Sequence, residues 1–325
     1  MNRTLTVLKP GLATSVQDQG RSGYYHIGIP PSGAMDQYSF RAANLLAGNP
    51  ETAAVLECTL MAPELRFNCD AIFAVAGAEC DVKVNGQVQP ADRAIAVKTG
   101  DTVSFGFMKQ GARLYLAVNG GIDVPEVLGS RSTYTLGAFG GFQGRKLAAG
   151  DELPLGAPTD SHPRHTLPEQ LRQRLDKNVS IRVIPGLYDY RLTDAGRASF
   201  YSDDWKVASE ADRIGYRYKS GRPLQFKERT PPFGAGSDPS NIVDAPYPVG
   251  SIQVPSGQEP IILHRDAVSC GGYAMIATVI SADMDLIGQM QPNYSARFVA
   301  VDMDTALAAR RDYQVRLQQL REHFA

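Results

Sequence analysis

Residues 71–88, AIFAVAGAECDVKVNGQV, join short apolar runs through a turn, and they decide the class of fold. Runs of this length that end at Gly, Asn or Asp are typical of β-strands. Asn85 and Gly86 form a dipeptide that strongly favours a two-residue hairpin turn, because both residues accept positive φ angles. The stretch therefore predicts neighbouring strands joined by a β-hairpin.

The same alternation of short apolar runs and turn residues continues in both directions along the chain. Glycine (31 residues) and proline (21 residues) supply the breaks between the runs. Because the runs are short and closely spaced, they favour antiparallel barrels or sandwiches over βαβ units. Further predicted strands lie in TLTVLKPG (4–11), ELRFN (64–68), DTVSFGF (101–107), RLYLAVNGG (113–121), VSIRVIPG (179–186), GSIQVPSGQ (250–258) and EPIILHRD (259–266).

Only a few stretches have helical periodicity. Residues 37–48 predict a helix that Asp36 caps and Gly48 ends. Residues 166–177, TLPEQLRQRLDK, form a short amphipathic piece, and residues 303–324 form the clearest helix. The last helix carries one apolar stripe made of Tyr313, Leu317, Leu320 and Phe324. The stripe favours a docked C-terminal helix, with a partner-binding helix as the alternative.

Composition places the 325-residue chain among cytoplasmic globular proteins that handle small molecules or protein partners. A net charge of −1 gives no electrostatic footprint for nucleic acid or an anionic membrane. No run approaches the roughly 20 apolar residues that span a bilayer, and MNRTLTVLKPG lacks the apolar core of a signal peptide. The widely spaced cysteines predict reduced thiols; they are Cys58, Cys69, Cys80 and Cys270.

A polar, proline-bearing segment near the middle predicts two domains, 1–156 and 179–325, joined by a linker over 157–178. LTVLKPGL near the start is similar to IRVIPGLY after the linker, and GIPPSG is similar to QVPSG. Matches this short arise by chance or reflect two related β domains that pack with a cleft between them. Such clefts are common sites for small ligands.

Several signatures of enzymes are absent from the sequence. There is no P-loop, no GxSxG and no HExxH, and GGFQGR (140–145) does not match the GxGxxG of a dinucleotide site. HPRH (162–165) lies in the predicted linker, where a solvated segment is a simpler interpretation than a metal site. Met108-Lys109 does not match the hairpin that carries biotin. Cys270 lies beside Gly-Gly without a base in its local context, which favours packing over nucleophilic catalysis.

Residues 15–36, SVQDQGRSGYYHIGIPPSGAMD, combine turn formers with polar and apolar side chains. Gln17, Asp18, Arg21 and Ser32 are expected to face a cleft, and at least two of these or Asp36 to line an interdomain or intersubunit pocket. Glu57 lies in the apolar stretch AAVLECTL, where a carboxylate needs a partner. It either forms a structural ion pair, for example with Arg41 or Arg21, or it joins Asp18 and Arg21 in a polar pocket floor.

Four later clusters repeat this mixture of glycine with polar or charged residues. In GSRSTY (129–134), open backbone amides and Arg131 suit a carboxylate or oxyanion, although ordinary turn chemistry also explains the pattern. The other clusters are DRIGYR (212–217), GAGSDPSNIVDAPY (234–247) and RDAVSCGGY (265–273).

These clusters, in this order, resemble the biotin-dependent carboxyltransferase subunits, a family also called allophanate hydrolase subunit 2. That family includes KipA, the C subunit of 5-oxoprolinase and the carboxyltransferase part of urea carboxylase. The resemblance covers about residues 14–298. The motifs that carry it are TSVQDQGRSGY, GIPPSGAMD, RAANLLAGN, AAVLECTL, AVNGGIDVPEVLGSRSTY, GGFQGRKLAAGD, DRIGYR, GSIQVPSGQEPIIL, GGYAMIATVISADM and ARF.

The resemblance implies a mainly β fold with two cyclophilin-like barrel domains, few helices and a C-terminal helix. It implies carboxyl transfer from carboxybiotin to a small amide or urea-like nitrogen, with no metal. The partners would be an allophanate hydrolase subunit 1 or KipI-like protein, a separate biotin carboxyl carrier and an ATP-using biotin carboxylase. The alternatives are a 5-oxoprolinase C subunit and a KipA-like protein that sequesters a kinase inhibitor without catalysis.

Residue chemistry and the matching motifs together predict the site. The expected catalytic residues are Asp18, Arg131 and Asp266. The expected substrate-binding residues are Gln17, Arg21, Ser32, Gly33, Asn44, Ser132, Tyr134, Tyr216, Asn241 and Ser269.

Two departures from the family's motifs bear on which molecule accepts the carboxyl group. Val268, Ser269 and Ala274 replace the Gln, Thr and Pro of a common run, which puts 5-oxoproline in doubt as the substrate. Asp238 replaces the His of a urea carboxylase segment. The sequence therefore combines features of the 5-oxoprolinase and urea carboxylase branches of the family.

Overall fold

The computed structural model describes residues 3–159 and 166–325, so the HPRH segment lies outside the described residues. The chain divides into two compact units. The first unit comprises Met1–Ser22, Ser32–Leu175 and Val315–Ala325, and the second comprises Gly23–Pro31 and Asp176–Gln314. Leu167 and Leu171, within the predicted linker, are buried. The division 1–156, 157–178 and 179–325 stays a prediction.

The first unit is built from two antiparallel sheets around an apolar core. Its strands are β1 Thr4–Lys9, β2 Ala13–Gln17, β3 Val55–Thr59, β4 Glu64–Phe67, β5 Ala71–Glu79, β6 Val82–Val84, β7 Gln87–Gln89, β8 Ile95–Val97, β9 Thr102–Phe105, β10 Gln110–Val118 and β11 Glu152–Pro154. One sheet has the order β11-β1-β4-β9-β6-β7 and the other β2-β3-β10-β5-β8. The core includes the stacked rings of Phe67 and Phe73, whose centroids are 5.8 Å apart.

The hairpin that the opening stretch predicts is confirmed. β6 pairs with β7, and Val84 lies opposite Gln87. Asn85 and Gly86 take φ angles of 49° and 81°. Both angles are positive, as the turn that matches the twist of the strands requires.

The second unit contains a closed barrel with the strand order β12-β19-β16-β17-β14-β13-β20. Its elements are β12 Asn178–Pro185, helix α2 Asp194–Ser202, β13 Trp205–Val207, β14 Gly215–Lys219, β15 Asn241–Pro246, β16 Ser251–Gln253, β17 Ile261–Leu263, β18 Cys270–Tyr273, β19 Met275–Val279, helix α3 Met284–Gly288 and β20 Ser295–Ala300. β15 and β18 form a separate two-stranded sheet.

Helix α1, Gln37–Leu46, begins and ends where the sequence predicts. The Asp36 carboxylate accepts a hydrogen bond from the Ser39 amide at 2.9 Å and so caps the first turn. Gly48 follows with a φ of 76°, and its amide donates to the Leu45 carbonyl. The cap fixes the chain that leads from residues 32–36 into the helix.

The two remaining helix predictions have opposite outcomes. Residues 166–177 contain only a 3-10 turn over Glu169–Leu171, so an amphipathic helix there is wrong. Pro168 adopts an extended conformation before that turn. Leu167 and Leu171 are nevertheless buried, so their burial does not require a long helix. Helix α4, Met303–Phe324, is confirmed.

Helix α4 is docked through its apolar stripe, as predicted. Leu317 and Leu320 are buried, and the Tyr313 hydroxyl donates to Asp285 at 2.6 Å. Residues 303–314 count with the second unit and residues 315–324 with the first. Among the described residues, no helix is long and apolar enough to cross a membrane. The mainly β class with a barrel, few helices and a C-terminal helix is confirmed.

Asp203, at the end of α2, predicts a pH dependence of stability. Hydrogen bonds from Arg222 lower the pKa of Asp203 from 3.8 to about 2. Because the folded-state pKa is depressed, the pair stabilises the fold fully above the unfolded pKa, and this contribution is lost as the pH falls from about 3.8 to about 2. Asp203→Asn should lower the free energy of unfolding by less than about 1 kcal/mol at pH 7, since Arg222 is exposed to solvent.

Urea unfolding of both proteins at pH 7, 4 and 2.5 measures the effect. The difference between them should shrink at the lowest pH. A difference that stays constant across the series would contradict the ion pair.

Candidate functional site

Asp18 is the centre of a buried polar network in the first unit. It follows β2 directly, and its carboxylate accepts hydrogen bonds from the Gly20 amide at 2.8 Å, the Ser130 hydroxyl at 2.7 Å and the Arg131 amide at 2.6 Å. The Ser132 hydroxyl donates a further bond. These bonds satisfy a carboxylate that is only 7% exposed. Asp18 therefore fixes the chain after β2 to residues 130–132.

Gln17 adds a second set of buried bonds beside Asp18. Its amide group donates to the Ser15 hydroxyl at 2.9 Å and to the Thr133 carbonyl at 3.2 Å, and its oxygen accepts from the Gly33 amide at 3.1 Å. The side chain is fully buried. Gln17 thus joins residues 32–33 to the segment that Asp18 holds.

Ser32 and Gly33 form a tight turn against this network. Both have positive φ angles, 50° and 85°. A Cβ on Gly33 would lie 2.7 Å from the Gly20 nitrogen, so only glycine fits. The Ser32 hydroxyl is fully buried and has no hydrogen-bond partner among the described residues. Residues held in such conformations cluster at functional sites.

Arg21 brings a buried positive charge to the same place. It is 2% exposed, and it donates through Nη2 to the Ser132 carbonyl at 2.5 Å. Its guanidinium lies 4.9 Å from the centroid of the Phe139 ring. The network therefore contains a cation beside a hydrogen-bonded carboxylate and hydroxyl groups.

The glycine-rich loop 138–144 packs against the network and lines a cavity of about 420 Å³. Gly140, Gly141 and Gly144 have φ angles of 69°, 54° and 66°. Within residues 3–159 and 166–325, the amides of Gly140, Gly141 and Gln143 have no hydrogen-bond acceptor. Backbone amides in glycine-rich loops bind anions. The sequence excluded a dinucleotide site here but indicated no other role for this loop.

Gly140 gives a stability test of this packing. A Cβ at Gly140 would lie 2.1 Å from the Ser132 oxygen and 2.9 Å from Arg21 Nη2. Gly140→Ala should therefore lower the free energy of unfolding by more than the ~1–3 kcal/mol cost of a strained φ alone. Urea denaturation measures the loss.

Gly150→Ala is the matched control, because Gly150 has a φ of 90° with no atom within 4 Å of the added Cβ. Equal losses for the two variants would show that the loop does not pack on Ser132 and Arg21.

The Arg131 side chain is engaged away from Asp18. It bonds to the Val124 carbonyl at 2.7 Å, and it pairs with Glu126 at 2.7 Å and Asp123 at 3.4 Å. Only its backbone amide reaches Asp18. A substrate that used Arg131 as a clamp would have to replace these carboxylates.

Tyr134 and Asn44 have structural partners. Tyr134 packs edge-on against Phe139 at 5.5 Å, and the two residues also exchange backbone hydrogen bonds. Asn44 donates to the Ala53 carbonyl at 2.8 Å and accepts from Asn49 at 3.0 Å. Tyr134 thus borders the Asp18 network through Phe139, whereas Asn44 secures the chain after α1.

Glu57 forms the expected structural ion pair, and Arg113 supplies the partner. Glu57 Oε1 lies 3.6 Å from Arg113 Nε, and both side chains are buried. Glu57 Oε2 also accepts from the Met35 amide at 2.8 Å and the Tyr115 hydroxyl at 2.9 Å. Arg113 and Tyr115 lie on β10, which pairs with β3. The partner therefore comes from a distant strand that local sequence did not reveal.

Asp266 and Tyr216 are bound within the second unit. Arg213 donates two hydrogen bonds to the Asp266 carboxylate, at 2.7 and 3.0 Å. Asp266 is 4% exposed. The Tyr216 hydroxyl donates to the Met290 carbonyl at 3.2 Å. Both residues thus have contacts that stabilise the barrel.

Asn241 and Ser269 lie near the sheet of β15 and β18. Asn241 opposes Tyr273 in this sheet, and its carbonyl accepts bonds from Arg191 and Arg229. Ser269 accepts from the Tyr247 amide through its carbonyl. The predicted site residues therefore fall into a group around Asp18 in the first unit and separate positions in the second.

Residues 23–31 bring one further tyrosine to the second unit. The Tyr25 hydroxyl donates to the Tyr247 carbonyl at 2.7 Å. Burial, and then the nearby Cys270, raise the pKa of Tyr25. Tyr25 is thus held as a neutral hydrogen-bond donor. Across the described residues, no group of three or more His, Cys, Asp or Glu side chains is arranged to hold a metal ion.

Residues 27–300 match the family described as carboxyltransferase domain, subdomains A and B. The chain belongs to this family. The resemblance that the sequence motifs indicate is therefore confirmed.

Relatives of this carboxyltransferase domain include both whole proteins and parts of larger ones. The chain is 36% identical to urea amidolyase of Saccharomyces cerevisiae, over 97% of this chain and 18% of that protein. It is 35% identical to the 5-oxoprolinase C subunit of Escherichia coli, over 97% of both chains. The carboxyltransferase domain thus spans about a fifth of the yeast protein and nearly all of the bacterial one.

Solved structures agree with this assignment. The crystal structure of Kluyveromyces lactis urea carboxylase matches 98% of this chain and 29% of its own length, with 36% identity and a TM-score of 0.91. At this identity and coverage, the carboxyltransferase domain shares the fold of that region throughout.

Sequence reasoning missed three polar features of this carboxyltransferase domain. Ser130 lies within the motif GSRSTY but was not predicted as a site residue, although its hydroxyl donates to Asp18. The open amides of loop 138–144 were not foreseen, because GGFQGR matches no phosphate-binding pattern. Arg191 and Arg229 gave no signal, since isolated arginines are normally solvated.

Proposed function

We propose that this chain moves a carboxyl group from carboxybiotin to a nitrogen of a small amide or urea-like molecule. Membership of the carboxyltransferase family supports the reaction. The names of the urea amidolyase and urea carboxylase relatives support a urea-like acceptor. Because this chain carries no P-loop, ATP would be used by a biotin carboxylase partner, and a subunit-1 or KipI-like protein would complete the assembly.

The observation that carries the proposal is the Asp18 network beside the cavity of loop 138–144. Bound carboxybiotin would supply an activated carboxyl group whose C–N bond breaks as a C–N bond to the acceptor nitrogen forms. The amides of Gly140, Gly141 and Gln143, which have no acceptor among the described residues, suit the negative charge that develops on oxygen during transfer. Arg21 adds a buried positive charge to the same place.

Asp18 acts in this proposal as a positioning residue. Its carboxylate already accepts four hydrogen bonds, from two amides and two serine hydroxyls. It therefore sets the position of Ser132, whose hydroxyl bonds Asp18 and whose carbonyl accepts a hydrogen bond from Arg21. The ureido nitrogen of the released biotin would accept the proton of the acceptor nitrogen, so the transfer would balance without a protein base.

Reconstitution tests the proposal. The chain is combined with its partner subunit, a biotinylated carrier, biotin carboxylase, ATP and bicarbonate, and is assayed against a panel of amides and ureas. We expect at least one acceptor to stimulate ATP turnover. If none does, while the yeast urea amidolyase responds to urea under the same conditions, the proposed transfer is wrong.

A second candidate is the C subunit of a three-component, ATP-dependent 5-oxoprolinase. The relative from Escherichia coli favours it, because the match covers 97% of both chains rather than a fragment. Deleting the chain's gene should then abolish growth on 5-oxoproline as nitrogen source. Normal growth of the deletion strain would exclude this candidate.

A further inference from the structure

Two arginines of the second unit, Arg191 and Arg229, donate to the same backbone carbonyl. Arg191 is 6% exposed and donates to the carbonyls of Pro239 and Asn241. Arg229 also donates to the Asn241 carbonyl, so both guanidinium groups converge on one oxygen. Within residues 3–159 and 166–325, neither forms an ion pair.

Aromatic rings hold Arg191 in this position. Its guanidinium lies 5.9 Å from the ring centroid of Tyr188 and 5.8 Å from that of Phe226. Burial, and then the charge of Arg229, lower the pKa of Arg191. Contacts with rings and carbonyls offset part of the repulsion between the two cations. An anion bound beside them would offset much more.

Arg191 and Arg229 line a cavity of about 240 Å³ together with Tyr190, Lys227 and Glu228. The Lys227 ammonium donates to the Tyr190 carbonyl at 2.7 Å, which keeps a third cation at this wall. The Arg229 Nε is buried and has no hydrogen-bond acceptor among the described residues. A buried donor without an acceptor costs free energy, and a ligand oxygen removes that cost.

We infer that this arginine pair is an anion site that binds the carboxylate of a small molecule. Both terminal nitrogens of Arg191 donate to backbone carbonyls, whereas the Arg229 Nε has no acceptor among the described residues. The pair therefore offers the planar guanidinium edge of Arg229 rather than a cage. A planar edge matches the two oxygens of a carboxylate. A phosphate can place two oxygens on the same edge, but its further charged oxygen needs donors that this edge does not supply. The site lies wholly within the second unit and does not depend on the proposed carboxyl transfer.

NMR of the isotopically labelled full chain tests this inference, with acetate, inorganic phosphate and chloride as probes at constant ionic strength. The side-chain Nε–H signals of Arg191 and Arg229 should shift saturably with acetate, more weakly with phosphate, and not with chloride. Tighter binding of phosphate than of acetate would overturn the carboxylate assignment. Shifts no larger than those with chloride would overturn the anion site.

Variants separate binding from folding. Arg229→Lys keeps the charge but removes the planar edge, and it should weaken the acetate response of Arg191 at least tenfold. Arg222→Lys is the matched control, because Arg222 is an exposed arginine that pairs with Asp203, and it should leave the response unchanged. Fluorescence of the buried Trp205 reports that each variant is folded. Equal acetate affinity in Arg229→Lys and the unaltered chain would contradict the assignment.

Removing the charge of Glu228 should have the opposite effect to Arg229→Lys. The Glu228 carboxylate is the acidic group among the described residues that line the cavity, so Glu228→Gln should tighten acetate binding. Weaker binding in this variant would show that the cavity is not an anion site.

Discussion

Arg113→Leu is expected to lower the free energy of unfolding by about 3–5 kcal/mol. The change leaves the Glu57 carboxylate buried, at 1% exposure, without the cation that lies 3.6 Å away. Replacing one partner of a buried ion pair is costly because the other charge remains out of water. Urea denaturation followed by Trp205 fluorescence and by far-UV circular dichroism measures the loss.

An exposed ion pair of the same unit supplies the control. Lys98 pairs with Asp70 at 2.9 Å, and both side chains are largely exposed. Lys98→Met should cost far less than Arg113→Leu, because an exposed ion pair contributes little to stability. If Arg113→Leu is no worse than Lys98→Met, the Glu57 carboxylate is not stabilised by Arg113.

Asp18→Asn is expected to lower the rate of carboxyl transfer about 100-fold, which corresponds to a misplacement of about 1 Å at the reacting groups. An asparagine replaces one acceptor oxygen with an NH₂ group that cannot accept from Ser130, Ser132 or the Arg131 amide. Residues 130–132 and the Arg21 side chain that they hold should then shift. The measurement is kcat and KM in the reconstituted system, with partner binding measured separately.

Asp101→Asn is the matched control. Asp101 is a half-buried aspartate of the same unit that accepts hydrogen bonds from the Lys98 amide and from Asn85. It should leave kcat unchanged. An unaltered kcat in Asp18→Asn would remove the Asp18 network from the reaction, and so would an equal fall in both variants. A fall in partner affinity alone, without a fall in kcat, would assign the network to assembly.

Local patterns in the sequence predicted much of the fold. The Asn85-Gly86 turn, the Asp36 cap and the stripe of α4 each depend on residues close together in the chain, so their physics can be read directly. The helix predicted over residues 166–177 is wrong because Leu167 and Leu171, although helically spaced, are buried with a single 3-10 turn.

Contacts between distant strands could not be read in this way. The apolar surroundings of Glu57 in the sequence predicted that its carboxylate needs a partner. The partner, Arg113, comes from β10, which pairs with β3, and not from an arginine nearby in the chain. The network of Asp18 with Ser130 and Ser132 likewise spans more than 110 residues of chain. Motifs indicated which segments matter, and only the fold showed which atoms meet.

The central claim is that this chain performs carboxyl transfer, and a single-turnover experiment tests it most directly. A biotin carrier loaded with labelled carboxyl groups is mixed with the chain and its partner subunit, with and without a urea or amide acceptor. The account predicts that the label moves to the acceptor only when the unaltered chain is present, and about 100-fold more slowly with Asp18→Asn. Label that stays on the carrier with every acceptor, or that moves equally fast without the chain, would contradict it.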